Sequence, residues 1–554
     1  MNSADSPGVE PGTRRSESGP DSSAPALSTS GNFKRNNTYL AILRTGVVIV
    51  ALCGLSLAFR PARLIPDTPL SEDAFYALTI ARNIAEGRGI VIEGSTWTNG
   101  FQPLFVFSCA PIWGLVKQDK ILPIRLILGF SWLLYIGSAY LMAQIAGDFA
   151  AATSKQDNGL RWAAVLLYLS APILVMAHFN GLETGCLLFC YAAVWRFYQQ
   201  YGIDTTRRLL GFGALLGLLV LARIDTVFLV VIICLAQMFE HPTAPWRDRL
   251  SRFFALAIVS FAVSSPWWFY NLLKFHSLMP SSGQAEQMWG LSQDRLDAIV
   301  YSLGRVLLPW GYGLHYIVTL RWLGLLVPFL LLALAFVFYL RFGHRSIRNR
   351  LVDTSCTSRG RRTLQFARWL LVSFAVLACW YTLSSWTIHF YIRYLTPLAI
   401  LSVFAGVQIY SIVYRRSVRV AVLSLVIPTL CAFASTAAQW EPERFFVGIG
   451  NPCYRDQLEL VETHVPQNAW VAAGQSGTLG YFRNHVINLD GKVNPVALEY
   501  QRKMPEYLRQ LHVNYLCDWQ DYVDAYLGEH PGEIGWRKVG EKAQFVLYRY
   551  DEKR

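Results

Sequence analysis

The chain has 554 residues, 53% of them hydrophobic and 16% charged, with a formal net charge of +13 and a mean hydropathy of +0.30. Soluble domains carry roughly 25% charged residues, and apolar runs near the ~20 residues that cross a bilayer recur throughout, so an ordinary soluble globule is excluded in favour of a polytopic α-helical membrane protein. The basic excess lies mainly in short loops between apolar runs, as a positive-inside bias, and not in the aromatic-interleaved stripe of a nucleic-acid surface.

Residues 1–38, rich in Ser, Pro, Gly and Asp, are expected to form a disordered cytoplasmic N-terminus. The run from Tyr39 to Phe59 is too long for a signal-peptide core, and no small-residue cleavage site stands out. It reads as a retained first span, with Arg14, Arg15, Lys34 and Arg35 on the cytoplasmic side. Further spans are predicted at roughly 122–146, 160–178, 182–199, 208–222, 226–239, 252–272, 316–340, 366–385, 394–413 and 419–438.

The segment 101–116, which contains Pro103 and Pro111, is read as interfacial or re-entrant. Counted as a span, it would send the arginine-rich loop 341–365 and Arg415, Arg416 and Arg419 to the outer face. About eleven transmembrane helices follow, in the plasma (inner) membrane, with the N-terminus cytoplasmic and the C-terminus periplasmic or extracellular. Residues 39–438 then form the membrane domain, with 60–121 as its first outer loop. Residues 439–554, where VAAG, HVINLD, HVNYLCDW and AQFVLYRY alternate with RDQLELVETHV and DYVDAYLGEH, form a small extracytoplasmic α/β domain.

The ten cysteines include no CxxC pair and no Cys/His ligand spacing. Cys53, Cys186, Cys190, Cys234, Cys379 and Cys431 sit in apolar runs and read as small hydrophobes. Cys453 and Cys517 in the outer domain are a candidate disulfide.

The polar motifs fall on one face of the membrane. SEDAFYALTIARNIAEGRG opens on Glu72-Asp73 and leads to TWTNGFQP; HFNGLETG carries Glu183; LARID carries Arg223 and Asp225. SSPWWFYNLLKFHSLMPSSG carries Trp267, Trp268, Tyr270, Lys274 and His276, and HFYIRYLTP carries His389, Arg393 and Tyr394. Each has an ordinary structural explanation: helix-end charges, a cap, an ion pair, interface aromatics, a snorkelling arginine. Together they favour a polar site, because ionisable groups at membrane depth are costly and tend to line cavities.

In this order the motifs resemble the GT-C superfamily of integral-membrane glycosyltransferases, in particular bacterial relatives of protein O-mannosyltransferases and the aminoarabinose lipid A transferase. NGLET, IRYLTP and the tail signature GTLGYFRNHVINLDGKVN add to the first-loop motif, and the resemblance spans nearly all of the chain past residue 38. Two departures stand out. Relatives commonly have two aspartates where this chain has Glu72-Asp73, and a histidine where it has Gln102.

The resemblance implies a polyprenyl-phosphate sugar donor, an inverting displacement in the bilayer's outer region, and a glycan, lipid or protein acceptor there. It casts Asp73 as general base, with Glu72 or Glu183 as the neighbour that raises its pKa. Glu72 and Asp73 also suit a divalent cation by residue type, and metal dependence stays open. For the departing phosphate Arg393 comes first, ahead of Lys274, His276 and Arg223. Asn99, Gln102, Asp225, Tyr270 and Tyr394 are the expected substrate contacts, with Trp267, Trp268 and Tyr391 as further aromatics, and Asp490 of the tail binds the acceptor or covers the site. A lipid-linked glycan flippase would distribute charge through the membrane depth and show internal repeats, which are not evident. An inactive scaffold subunit would tolerate loss of Asp73.

Overall fold

Six helices are long and apolar enough to cross a membrane: Asn37–Phe59, Leu122–Ala150, Trp246–Phe275, Ser358–Ser384, Ile388–Arg416 and Val418–Trp440. They belong to a computed structural model that describes residues 29–116, 119–151, 158–239, 243–311, 357–440 and 453–551. Their outward faces follow helical spacing, as with Phe254, Ile258 and Phe261 or Leu423, Ile427 and Leu430, all exposed. On the opposite side of the Trp246–Phe275 helix, Leu256, Ser260, Ser264 and Trp267 are buried. Exposed apolar stripes backed by packed ones are what a lipid-facing bundle requires, and the protein is a multi-pass membrane protein.

The span expected at 160–178 is a bent pair, Asn158–Leu169 and Pro172–Phe179, meeting at 65°. Pro172 opens the second half and cannot donate a backbone hydrogen bond to the first, which is where the helix breaks. Counting the pair as one span gives seven among the described residues. The expected eleven are therefore not all matched: helices at Thr184–Tyr201, Thr206–Ala222 and Val227–Phe239 are shorter or more polar, and 316–340 lies outside the described residues. The Pro103–Leu115 helix, 13 residues long, rises only about 20 Å, short of the ~30 Å hydrocarbon core. The first helix starts at Thr29, inside the stretch 1–38 expected to lack structure; residues 1–28 lie outside the described residues.

Arginines gather away from the polar motifs. Asp148 receives Arg161 at 2.8 Å, Arg196 at 2.7 Å and Arg359 at 3.6 Å, and Arg362 pairs with Asp204 at 2.7 Å. Arg341, Arg345, Arg348 and Arg350 of the expected loop lie outside the described residues.

The C-terminal domain is a five-stranded sheet in the order β2-β1-β3-β5-β4, with β1 Val471–Ala473, β2 Val486–Asn488, β3 Tyr515–Trp519, β4 Trp536–Lys542 and β5 Phe545–Tyr550. β1 pairs in parallel with β2 and β3, while β5 runs antiparallel to β3 and β4. The polar sequence WRKVGEK gave no strand signal; it is an edge strand held by its hairpin with β5. Cys453 and Cys517 are both free, which overturns the expected disulfide: Cys517 is sealed within the sheet, and Cys453 donates toward Asp67 at 3.4 Å.

The domain docks on the Glu72–Ala85 helix. Phe75 packs on Tyr481 and Phe482 at ring distances of 5.3 and 5.8 Å. Tyr76 Oη donates to Gly474 O at 2.9 Å and accepts from Asn488 Nδ2 at 3.0 Å and Ser476 N at 3.2 Å. Because that helix carries Glu72 and Asp73, docking brings the domain directly over the acidic pair.

Candidate active site

Ser71 is extended, and Glu72 and Asp73 occupy the first turn of the helix, where its positive end favours them. That ordinary role is only part of what they do, since both reach distant segments. Asp73 Oδ2 accepts from Arg393 Nη1 at 3.4 Å, and Oδ1 lies 3.5 Å from Lys492 Nζ. Arg393 Nη2 donates to both oxygens of Glu183, at 3.0 and 3.2 Å. Lys492 also reaches Glu286 at 4.0 Å, and Glu286 Oε2 accepts from Tyr394 Oη at 2.5 Å. Charges alternate along this chain, Glu183–Arg393–Asp73–Lys492–Glu286, although five separate segments supply them.

Asp73, Glu286 and Lys492 line both of two adjoining cavities. One, of about 500 Å3, also has Glu183, Arg223 and Arg393 among apolar and aromatic residues such as Phe101, Phe228, Met279 and Trp380. The other, of about 690 Å3, lies against the sheet domain, with Trp386, Phe390, Trp519, Tyr522 and Tyr526 around Gln475, Gln501 and Asp490. Trp519 ends β3, and Tyr522 and Tyr526, four residues apart on the Gln520–Leu527 helix, continue from it as one aromatic row with ring centres 5.4 and 6.0 Å apart.

The environment separates the two adjacent carboxylates. Burial pushes Asp73 up, but Lys492 and Arg393 outweigh it and hold Asp73 below the usual range. Glu72 is pushed well above that range by burial and by the neighbouring Asp73 and Asp490, despite the Gly477 N–H it accepts. The surroundings, and not residue type, thus push the two pKa values apart, favouring the charge on Asp73 and the proton on Glu72. A like-charged neighbour was expected to raise Asp73; instead Glu72 is the carboxyl whose pKa is raised. Burial also raises Asp490 to about 6, against the pull of Lys492.

Most of the remaining expected residues gather here. Glu183, 4% exposed, makes no cap hydrogen bond and grips Arg393 instead. Arg223 pairs with Asp225 at 3.0 Å, lies 4.5 Å from the Tyr394 ring centre, and donates to Arg393 O at 3.4 Å. Asp225 accepts from Tyr381 Oη at 2.7 Å, and Gln102 Oε1 accepts from Ile224 N at 3.2 Å, fixing this turn.

Four of the expected residues lie outside the lining of both chambers. Asn99 is buried and accepts from Ser281 N at 3.0 Å; Tyr270 donates to Thr98 O at 2.8 Å and stacks on Trp267. Lys274 lies over the Trp97 ring at 4.4 Å, and His276 is exposed where the left-handed turn (φ 51°) ends its helix. Lys274, in the last turn of the helix, and His276, just past its end, thus take positions outside the acidic cluster.

Lys492 is the cation that the sequence reading missed. Asp490 Oδ1 accepts from Lys492 N at 2.8 Å, and Gly491 takes φ +77°, which glycine adopts without penalty, so this tight turn aims the ammonium at Asp73. The motif LDGKVN signals the turn but not its target. Glu286, in a loop without motif, had no local signal at all.

Among the described residues no group of three or more His, Cys, Asp or Glu is arranged to hold a metal ion. Two cations already face Asp73, and Glu72 faces a backbone N–H, so this pair as arranged does not fit a divalent cation.

Residues 448–552 match a family described as Domain of unknown function (DUF8728), which corresponds to the sheet domain. No curated protein matches the chain by sequence. Among solved structures, ArnT from Cupriavidus metallidurans bound to undecaprenyl phosphate aligns with a TM-score of 0.55 and 14% identity, over 92% of this chain and 98% of that one. The chain has the GT-C fold. The apo form of that ArnT (TM-score 0.47, 14% identity, 92% and 98% covered) and an Archaeoglobus fulgidus oligosaccharyltransferase tethered to an acceptor peptide (0.43, 12%, 92% and 74%) align too loosely to carry an argument. Within this fold the acidic helix, the Arg393 segment and the sheet domain converge on one cluster, Asp73 at its centre.

Proposed function

We propose that this protein is a membrane glycosyltransferase that moves a sugar from a polyprenyl-phosphate donor to an acceptor hydroxyl on the extracytoplasmic side, with inversion at the anomeric carbon. The observation that carries the reading is the Asp73–Arg393 contact at the junction of two cavities of unlike character. The smaller cavity pairs two guanidiniums with an apolar wall, which suits a phosphate attached to an isoprenoid. The larger offers aromatic faces with amide and carboxyl groups, which suits a polar acceptor. ArnT, whose fold the chain shares, was crystallised with undecaprenyl phosphate.

In the reaction, the acceptor oxygen attacks the anomeric carbon from the sheet-domain side as the bond to the phosphate oxygen breaks. The acceptor proton passes to Asp73, and the electron pair leaves with the lipid phosphate, where Arg393 and Arg223 meet the growing charge. The depressed pKa makes Asp73 a weak base in the empty site. A bound phosphate draws on the charge of Arg393, which now favours ionised Asp73, and so raises the pKa of that base when donor is present. Glu183 keeps Arg393 oriented.

The test is transfer from a panel of radiolabelled polyprenyl-phosphate sugars in membranes carrying wild-type or Asp73→Asn protein of equal abundance. Transfer by wild type and a loss of about a hundredfold or more in the variant is the expected result for a general base. Transfer that survives the change removes Asp73 from that role; no transfer with any donor would count against the function itself.

A further inference from the structure

A third cavity, of about 230 Å3, lies where the second half of the Glu72–Ala85 helix meets the sheet domain. Arg82, Arg88, Arg483 and His485 line it, beside Trp470 and Gly477. Arg82 and Arg483 are 8% and 4% exposed, and neither forms an ion pair among the described residues. Arg82 Nη1 donates to Tyr481 O at 3.2 Å, and its guanidinium lies 5.1 Å from the Tyr481 ring centre, but Nε has no partner. Arg483 Nη2 donates to Pro466 O, while Nε and Nη1 have none.

Among the described residues no carboxylate stands within ion-pair distance of Arg82 or Arg483. Lys120 stands nearby and donates to Phe482 O at 2.6 Å, adding a further cation. Arg88, half exposed at the mouth, pairs with Glu86. The carboxyl that lines the cavity is Glu93, bound by Asn488 N at 3.1 Å and Asn494 Nδ2 at 2.9 Å. Burial pushes it up to about 8, so it is largely neutral at pH 7. Glu462 acts on Arg483 and Lys120 only from beyond ion-pair distance.

Two buried guanidiniums without counter-charge are costly, and both belong to the wall of one cavity. An anion there would offset that cost, and the guanidinium fork matches phosphate geometry. Trp113 of the short Pro103–Leu115 helix lies 5.9 Å from Arg82, and Lys120 precedes the Leu122–Ala150 span, which sets the cavity near headgroup level. We propose that the cavity between Arg82, Arg88 and Arg483 is a binding site for a phosphate-bearing ligand, presented either by an anionic lipid headgroup or as a free phosphate ester. The transfer reaction is not needed for this inference, because the cavity shares no arginine with the two chambers.

The test is calorimetric titration of inorganic phosphate into the full-length protein in neutral-detergent micelles at constant ionic strength. An Arg393→Gln background weakens phosphate binding in the active-site chamber, where Arg223 remains, so dependence on Arg88 and Arg483 is what identifies the third cavity. Saturable binding is expected to persist in that background, to weaken about fivefold or more with Arg88→Gln, and to be lost with Arg483→Gln, as charge-assisted hydrogen bonds disappear. Should Arg483→Gln fail to fold, the exposed Arg88 decides. Absence of saturable binding in the Arg393→Gln background, or binding that Arg88→Gln leaves unchanged, overturns the proposal. Displacement of phosphate by phosphatidylglycerol but not phosphatidylcholine assigns the lipid source; no displacement assigns a water-soluble phosphate.

Discussion

Lys492 of the sheet domain lies 3.5 Å from Asp73 on the first outer helix, so the C-terminal domain supplies a cation to the proposed catalytic carboxylate. Together with Arg393 it outweighs the effect of burial and holds Asp73 ionised. An acceptor proton can pass only to the ionised form, so activity fails as pH falls through the Asp73 pKa. Lys492→Met raises that pKa and is expected to move the acid limb of the kcat/KM profile upward by about one unit. The pH–rate profile checks this; an unmoved limb would mean that Lys492 does not govern Asp73.

Glu72 and Asp73 are neighbours whose pKa values are pushed in opposite directions, and substitution separates them. Glu72→Gln imitates the protonated form and keeps an oxygen for the Gly477 N–H, so transfer is expected to stay within about tenfold of wild type, against the hundredfold loss for Asp73→Asn. Parallel assays of the two variants decide. Equal losses would contradict the assignment of the proton to Glu72.

Arg393 holds Glu183 and Asp73 through separate amines. Arg393→Lys keeps the charge but loses the planar fork, and a fall of roughly 10- to 100-fold in kcat/KM is expected for that loss of bidentate grip on phosphate. The thermal unfolding midpoint is expected to change little by comparison. A lysine variant of full activity would place the phosphate elsewhere.

Gly477 lies so close to Glu72 that a β-carbon there would collide with the Glu72 backbone carbonyl and carboxyl. Gly477→Ala must push the sheet domain off the acidic helix, at a cost of about 1–3 kcal/mol. Faster limited proteolysis of the sheet domain and a lowered unfolding midpoint report it. An unchanged midpoint and digestion rate would show that the docking seen here does not hold the domain.

Glu93 gives the docking a pH dependence with a definite sign. Burial raises its folded pKa to about 8, above the unfolded value of roughly 4.3, so the folded state binds the extra proton between those values. Stability is highest below that window and falls as pH rises through it, by up to a few kcal/mol. Glu93→Gln is expected to flatten the curve between pH 5 and 8, measured as the unfolding midpoint against pH. Persistence of the slope would assign it to another group.

Much of this protein was legible in residue order alone. Hydropathy marks a helical membrane chain because the bilayer imposes a length and polarity rule on every span, and the charged motifs around Asp73, Glu183, Arg223 and Arg393 stand out against that background. Strand alternation in HVINLD and AQFVLYRY marked the outer domain, whereas WRKVGEK, polar on both faces, gave no strand signal until β5 supplied its partner.

Tertiary structure alone decided which cations face Asp73. Lys274 and His276 sit in a motif rich in polar residues yet turn outward, while Lys492, carried in by a distant turn, faces the acid. It likewise decided which of Glu72 and Asp73 has its pKa raised and which lowered, and that Cys453 and Cys517 stay apart. Hydropathy and residue type are local properties that a sequence states outright. Burial and the distance between charges arise only when remote segments pack, and in this site those two quantities set the chemistry.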